Sequence, residues 1–209
     1  LATAVFGARS WAANYYWVGP NNGAWSEAAN WSNTRGGGGG AGVPGTADYV
    51  FLVDHAVVSL STGNVVVNRV WIGGNASTGT LNLSGNATLT PSYWDEKFGY
   101  DGGTANLNMT GANTVTFSAD FYLGGRVFQT SGTGNVTLDH PDAVLNVSNF
   151  QITSVANSHA TLNVRQGTVN FNSNLTLSGA NGATAAFVLG QTGDAVLQST
   201  SGTRNLKLR

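Results

Sequence analysis

Cysteine is absent from all 209 residues. That excludes a disulfide framework and a thiolate metal site, and it is compatible with export. Charge is scarce too: Asp, Glu, Lys and Arg make up 9% of the chain, and the formal net charge is −1. A nucleic-acid binder replaces counterions with a cationic stripe, and nine Lys and Arg scattered along the chain cannot supply one. Scarce charge also removes the usual guard against self-association. The chain therefore either assembles or is kept in solution by hydroxyls and amides. No run reaches the ~18 apolar residues of a membrane span, and no stretch sustains a helical period.

What is there is a phrase that keeps returning. TLNLSG occupies 80–85, ANLNMTG 105–111, AVLNVS 143–148 and ATLNVRQGTVNF 160–171, with a weaker copy, NLTLSGA, at 174–180. Each is a short alternating strand and a small polar or glycine turn. Repetition of this kind is the signature of a solenoid. Period two predicts Leu81, Leu83, Leu107, Met109, Leu145, Val147, Leu162 and Val164 inside, with Asn82, Asn108, Asn146 and Asn163 outside. Asparagines at one place in successive coils then ladder through their amides. Their many Asn-X-Ser/Thr sites read as a by-product of this repeat.

A second marker, apolar residues before glycine, recurs at 70–74, 98–103 and 121–125, and more weakly at 187–191. Its spacing predicts a coil of about 22 residues and six or seven coils over 65–208. The segment 91–101 stands out as an insertion in that rhythm.

The fold expected is all-β, a parallel β-helix in three parts. Residues 1–13 are apolar and read either as the end of a signal peptide or as a mature strand. Residues 14–50 form a cap rich in tryptophan and glycine, and 51–209 carry the repeats. The glycine run 36–40 is expected to be a mobile loop or a tip. Trp17, Trp25 and Trp31 read either as a plug on the open end of the stack or as a platform for sugar rings; the plug is the reading preferred, because an uncapped stack exposes core and strand edges.

At these residues the chain resembles a known group. IGGNASTGTLNLSGNATLT, 72–90, is similar to the strand repeats of bacterial autotransporter passenger domains and related exported β-helix proteins. The entry, with Trp17-Val18-Gly19, Gly23-Ala24-Trp25, Asn30-Trp31, Pro44 and Asp48, resembles the start of such proteins. The resemblance implies a right-handed parallel β-helix at the cell surface or outside the cell, serving adhesion, display or structure. It brings no catalytic set.

Candidate sites are few. Tyr93, Trp94, Asp95, Glu96, Lys97, Phe98 and Tyr100 gather aromatics, carboxylates and a lysine. The cluster reads as a contact loop for the coil or a neighbouring subunit, as a glycan contact, or as an Asp/Glu pair for glycoside hydrolysis. His140, between Asp139 and Pro141-Asp142, reads as a turn before it reads as a metal ligand; His55 and His159 stand alone. The sparse bases, among them Arg69, Arg126 and Arg165, assemble no lyase face. No enzyme activity, metal or cofactor is expected. Segment 1–13 cannot bury either side alone, so Leu1, Ala2, Ala4, Val5 and Phe6 are expected to add to a strand edge, a neighbour's in preference to their own. The expected function is a surface structural subunit that assembles head-to-tail. An adhesin or glycan-binding module, and a polysaccharide-degrading enzyme, are the alternatives.

Overall fold

The computed structural model describes residues 12–93, 95–125, 130–152, 155–177, 181–199 and, as backbone, 206–208. The residues expected to act as an N-terminal connector, Leu1, Ala2, Ala4, Val5 and Phe6, lie outside these. The described chain begins with β1 (Asn14–Trp17), β2 (Gly23–Ala24), a 3-10 turn at Ala28–Asn30 and β3 (Trp31–Ser32). The coil follows through β4 (Tyr49–Leu52), β5 (Ala56–Leu60), β6 (Asn64–Val67), β7 (Arg69–Ile72), β8 (Thr78–Leu83) and β9 (Thr88–Pro91). It continues with β10 (Asp95–Phe98), β11 (Thr104–Met109), β12 (Thr114–Leu123), β13 (Thr133–Ile152) and β14 (His159–Phe171). It closes with β15 (Leu175–Leu177), β16 (Thr184–Leu189), β17 (Ala195–Ser199) and β18 (Leu206–Leu208).

Pairing curls these strands into a parallel β-solenoid with three faces. The first face stacks β2, β5, β8, β11, the start of β13, the start of β14 and β16. The second stacks β6, β9, the start of β12, the middle of β13, the end of β14 and β17. The third stacks β1, β4, β7, β10, the end of β12, the end of β13, β15 and β18. β12, β13 and β14 are long because each turns a corner between faces, and the register slips where β12 and β13 bend, between Phe117 and Asp120 and between Leu138 and Val144. About five turns separate the first rung, β4 to β6, from the last, β15 to β17. At ~4.8 Å per turn the stack is about 24 Å tall.

The alternation works as expected. Val58, Leu81, Leu107, Val136 and Leu162 form one buried column, and Leu60, Leu83, Met109, Leu138 and Val164 another. Each buried leucine contributes roughly 1.5–3 kcal/mol. Two of the asparagines between them ladder: Asn108 Nδ2 donates to Asn82 Oδ1 at 2.8 Å, and Asn82 Nδ2 to Asn22 Oδ1 at 3.1 Å. Asn163 does not, since it stands between Thr137 and Val188 and its Oδ1 has no partner. Asn135 Nδ2 donates to Asn106 Oδ1 at 3.0 Å. On the second face Asn170 Nδ2 donates to Asn146 Oδ1, and Gln198 Nε2 to Asn170 Oδ1, both at 2.8 Å.

Two expectations about the repeat are corrected. Along the column Val58, Leu81, Leu107, Val136, Leu162 and Phe187 the steps are 23, 26, 29, 26 and 25 residues, not 22. Five complete rungs therefore fill 69–199, where six or seven were expected. The marker at 187–191 is not a copy of the others: Leu189 pairs with Val164 on the first face, whereas Ile72, Phe98 and Leu123 stack on the third. The segment 91–101 is no insertion either, because β10 is a regular rung between β7 and β12.

The N-terminal end is plugged. Trp17, Trp25 and Trp31 are buried and belong to the core. Trp31 meets Trp17 edge-on at 5.0 Å and Trp25 at 4.8 Å, and its indole N–H donates to the Trp25 carbonyl at 2.8 Å. β3 covers the outer edge of β1 antiparallel, where every other described strand pair is parallel. The tryptophans are thus closed to sugar rings. The glycine run is drawn back onto this plug: Ala41 N–H donates to the Trp31 carbonyl at 3.0 Å. A Cβ at Gly39 would collide with the Ala29 carbonyl, so glycine there serves close approach.

Candidate functional site

Outward positions on the third face form two neighbouring columns. Tyr16, Phe51, Trp71, Lys97 and Tyr122 follow one another in register. Beside them stand Tyr49 with Arg69, and Asp95 with Asp120 and Asn149. One column is chiefly aromatic and the other chiefly charged. This face carries Arg69, Asp95, Glu96, Lys97 and Asp120, and it is where the singled-out segment lies.

The rings interlock across rungs. Tyr16 stacks on Phe51 at 4.8 Å, Phe51 meets Trp71 edge-on at 5.2 Å, and Trp71 meets Tyr100 at 5.5 Å. The Arg69 guanidinium lies over three rings, 4.1 Å from the centroid of Tyr93, 4.6 Å from Trp71 and 5.1 Å from Tyr49. The Lys97 ammonium lies 4.3 Å from Trp71 and pairs with Asp95 at 3.4 Å. Cation–π contacts of this kind contribute about 0.5–2 kcal/mol each. They explain how a polar run, Asp95-Glu96-Lys97, is accepted as a strand. Trp71 completes the arrangement by donating its indole N–H to the Asp95 carbonyl at 3.1 Å. Asp120 accepts from the Tyr122 hydroxyl at 3.0 Å and from Asn149 Nδ2 at 2.8 Å.

The candidate residues are divided by this geometry. Tyr93 is half-buried at the surface over Arg69, and Trp94 lies outside the described residues. Asp95 and Tyr100 are buried against their neighbours. Burial pushes the Tyr100 hydroxyl up, with Asp101 adding to it. Phe98 and Glu96 are not surface contacts but point into the core. Phe98 packs edge-on against Phe121 at 4.8 Å and Phe117 at 5.6 Å. Glu96 accepts the Val70 N–H at 2.7 Å, and burial raises its carboxyl well above the ordinary value. What remains exposed, in part, is a set of rings: Tyr16, Tyr49, Phe51, Trp71 and Tyr93.

The histidines stay apart. His140 lies not in the expected turn but within β13, where it bends between faces. Its Nδ1 accepts the Asp142 N–H at 3.2 Å, while Asp139 pairs with Arg165 at 3.1 Å. His159 Nδ1 shares a 2.6 Å hydrogen bond with Thr184. His55 follows Asp54, both with left-handed backbone, and Asp54 takes a two-pronged pair from Arg35. That hydrogen bond holds the Asp54 carboxyl below its ordinary range. Among the described residues, no three of His, Asp or Glu are placed to hold a metal ion. Sequence reasoning missed the cage around Arg69. Its signal was the alternation Arg69-Val70-Trp71-Ile72, answered 26 residues later by Asp95-Glu96-Lys97-Phe98.

Comparison with protein-family models, with curated proteins and with solved structures finds no match. The case for function therefore rests on this geometry and on the sequence. The face binds its own cations on its own rings; its remaining chemistry is that of stacking and hydrogen bonding.

Proposed function

We propose that this chain is a structural β-solenoid, exported to the bacterial cell surface, that works by stacking on further copies of itself. The observation that carries the reading is the contrast between the first and last described rungs. The first rungs are closed by tryptophans and by β3. In the last, Leu189 occupies the inward register of the fully buried Val164 and yet is 46% exposed. Phe187 and Leu197 are only partly covered there, and among the described residues β16 and β17 pair on one edge alone. An apolar column with open strand edges is a template for another layer. The scarcity of charge, the lack of cysteine and the likeness of the repeat phrase to surface proteins support the same reading.

Light scattering and electron microscopy of the purified chain test it. The expected result is regular multimers that Leu189→Lys reduces to a monomer, and that deletion of residues 1–13 also dissolves if the segment joins copies. A wild-type monomer at every concentration sinks the proposal. The half-exposed rings of the third face favour one second reading, a contact for neutral glycans by ring stacking. A monomer that retains glycans, and releases them on Tyr93→Ala, would support it.

A further inference from the structure

The third face buries one column of inward side chains: Val50, Val70, Phe121, Phe150 and Leu175 are all fully buried and apolar. Between Val70 and Phe121 the same column holds Glu96, in register with Phe121 and 1% exposed. A carboxyl group thus occupies a position that five other rungs give to hydrocarbon.

We propose that Glu96 is a proton-operated latch, which closes the third rung of the coil while uncharged and forces it open when ionised. The position of its two oxygens is the first reason. The backbone pairing of β10 with β7 is in place from Lys97 opposite Trp71 onward. One step earlier, Glu96 Oε2 accepts the Val70 N–H at 2.7 Å, acting in place of a ladder carbonyl. Glu96 Oε1 is buried with no hydrogen-bond partner. The neutral acid is the less costly state, with a carbonyl oxygen toward Val70 and an uncharged hydroxyl at the unpartnered position. The carboxylate would leave a full charge on an oxygen that nothing solvates.

The second reason is where the neighbouring charges sit. On β7 the facing cation is Arg69, and on β10 the neighbours are Asp95 and Lys97; on β12 the charged group is Asp120. All occupy the outward positions of the alternation, across the sheet from the inward column. Arg69 lies over three rings and Lys97 is engaged by Asp95 and Trp71. Asp120 is tied to Tyr122 and Asn149. Burial is the largest influence and holds the proton on, against the Val70 N–H, Arg69 and Lys97, which favour the ionised form; Asp95 opposes ionisation. The folded chain therefore binds this proton more tightly than the unfolded one. The stabilising effect is complete below the ordinary value of 4.5 and is lost as pH rises from there through the folded value.

The test compares urea unfolding of wild type with Glu96→Gln and Glu96→Leu across acid, neutral and alkaline pH. Glutamine keeps the carbonyl for Val70 without an ionisable proton. The wild type is expected to lose stability relative to Glu96→Gln as pH rises above 4.5, by about tenfold in the unfolding equilibrium constant per pH unit until the folded value is passed. Protection of the Val70 amide and of β10, corrected for the base-catalysed intrinsic rate, should fall at alkaline pH in the wild type alone. Parallel pH profiles for the wild type and Glu96→Gln would overturn the latch. If neither variant folds, infrared spectroscopy of the wild type decides: a protonated-acid carbonyl band persisting at neutral pH and assigned by Glu-selective isotope labelling supports it, and the absence of that band refutes it.

Discussion

Replacing Trp31 by alanine should unfasten the N-terminal end of the stack. The indole is completely buried, contacts Trp17 and Trp25 edge-on, and donates to the Trp25 carbonyl. Truncating a buried tryptophan costs about 3–5 kcal/mol. Trp31 belongs near the top of that range for two reasons. Each edge-on aromatic pair carries about 0.5–1.5 kcal/mol beyond its area. The buried Trp25 carbonyl also loses its donor, at a cost of about 1–3 kcal/mol where no water replaces it. These contributions overlap, so about 5 kcal/mol is the expected loss. In a solenoid each rung touches only its neighbours, so the loss should be local. Urea unfolding followed by circular dichroism should shift to lower denaturant, with a smaller slope if the cap opens first. Amide exchange should speed up at Val50, Leu52 and Val58, and stay slow at Leu145 and Leu162. A loss below about 1 kcal/mol, or uniform loss of protection along the stack, would refute the plug as the element closing this end.

Two further substitutions probe the coil itself. Gly99→Ala should destabilise by more than about 1 kcal/mol, since Gly99 has φ +69° and a Cβ there would strike the Thr133 carbonyl of the next rung; a thermal midpoint equal to wild type counts against the corner geometry. Asn108→Ala breaks the bond to Asn82 while leaving both backbones paired, so it should cost about 1 kcal/mol by denaturant titration. A neutral result would mean that the amide row adds nothing beyond the ladder it decorates.

The first face was legible in the sequence because its inward residues repeat in kind. Leu81-Asn82-Leu83, Leu107-Asn108-Met109 and Leu162-Asn163-Val164 alternate cleanly, and period two gave burial in all three and the ladder at Asn82 and Asn108. The third face was not, because its side chains change kind from rung to rung. Val70, Glu96 and Phe121 share one position, and no local pattern links an acidic residue to a valine 26 residues away. The strand Asp95–Phe98 is held by Trp71 and Arg69, which are remote in sequence, so polar composition made a rung look like an insertion. The glycine run lies in a loop, as expected, but its close approach to the plug was hidden for a similar reason. Its freedom is real in the unfolded chain, but Gly39 spends it on contact with Ala29, which sequence alone does not display. The tryptophan plug was readable from composition, since a solenoid needs a lid and bulky rings supply one.

The asparagine and glutamine rows have a direction. In each bond given above, from Asn82 to Asn22 through Gln198 to Asn170, the amide nitrogen reaches toward the N-terminal rung and the oxygen receives from the C-terminal one. Asn106 and Asn146 do the same to the hydroxyls of Thr80 and Thr116. The side-chain dipoles therefore point one way along the axis, each polarising the next. The rod is a vector: it offers oxygens at one end and amide hydrogens at the other. A layer added to the Gln198 end must bring donors, and a layer laid upside down would set oxygen against oxygen. If copies stack as proposed, the amides set the polarity of that stacking before any apolar contact is made.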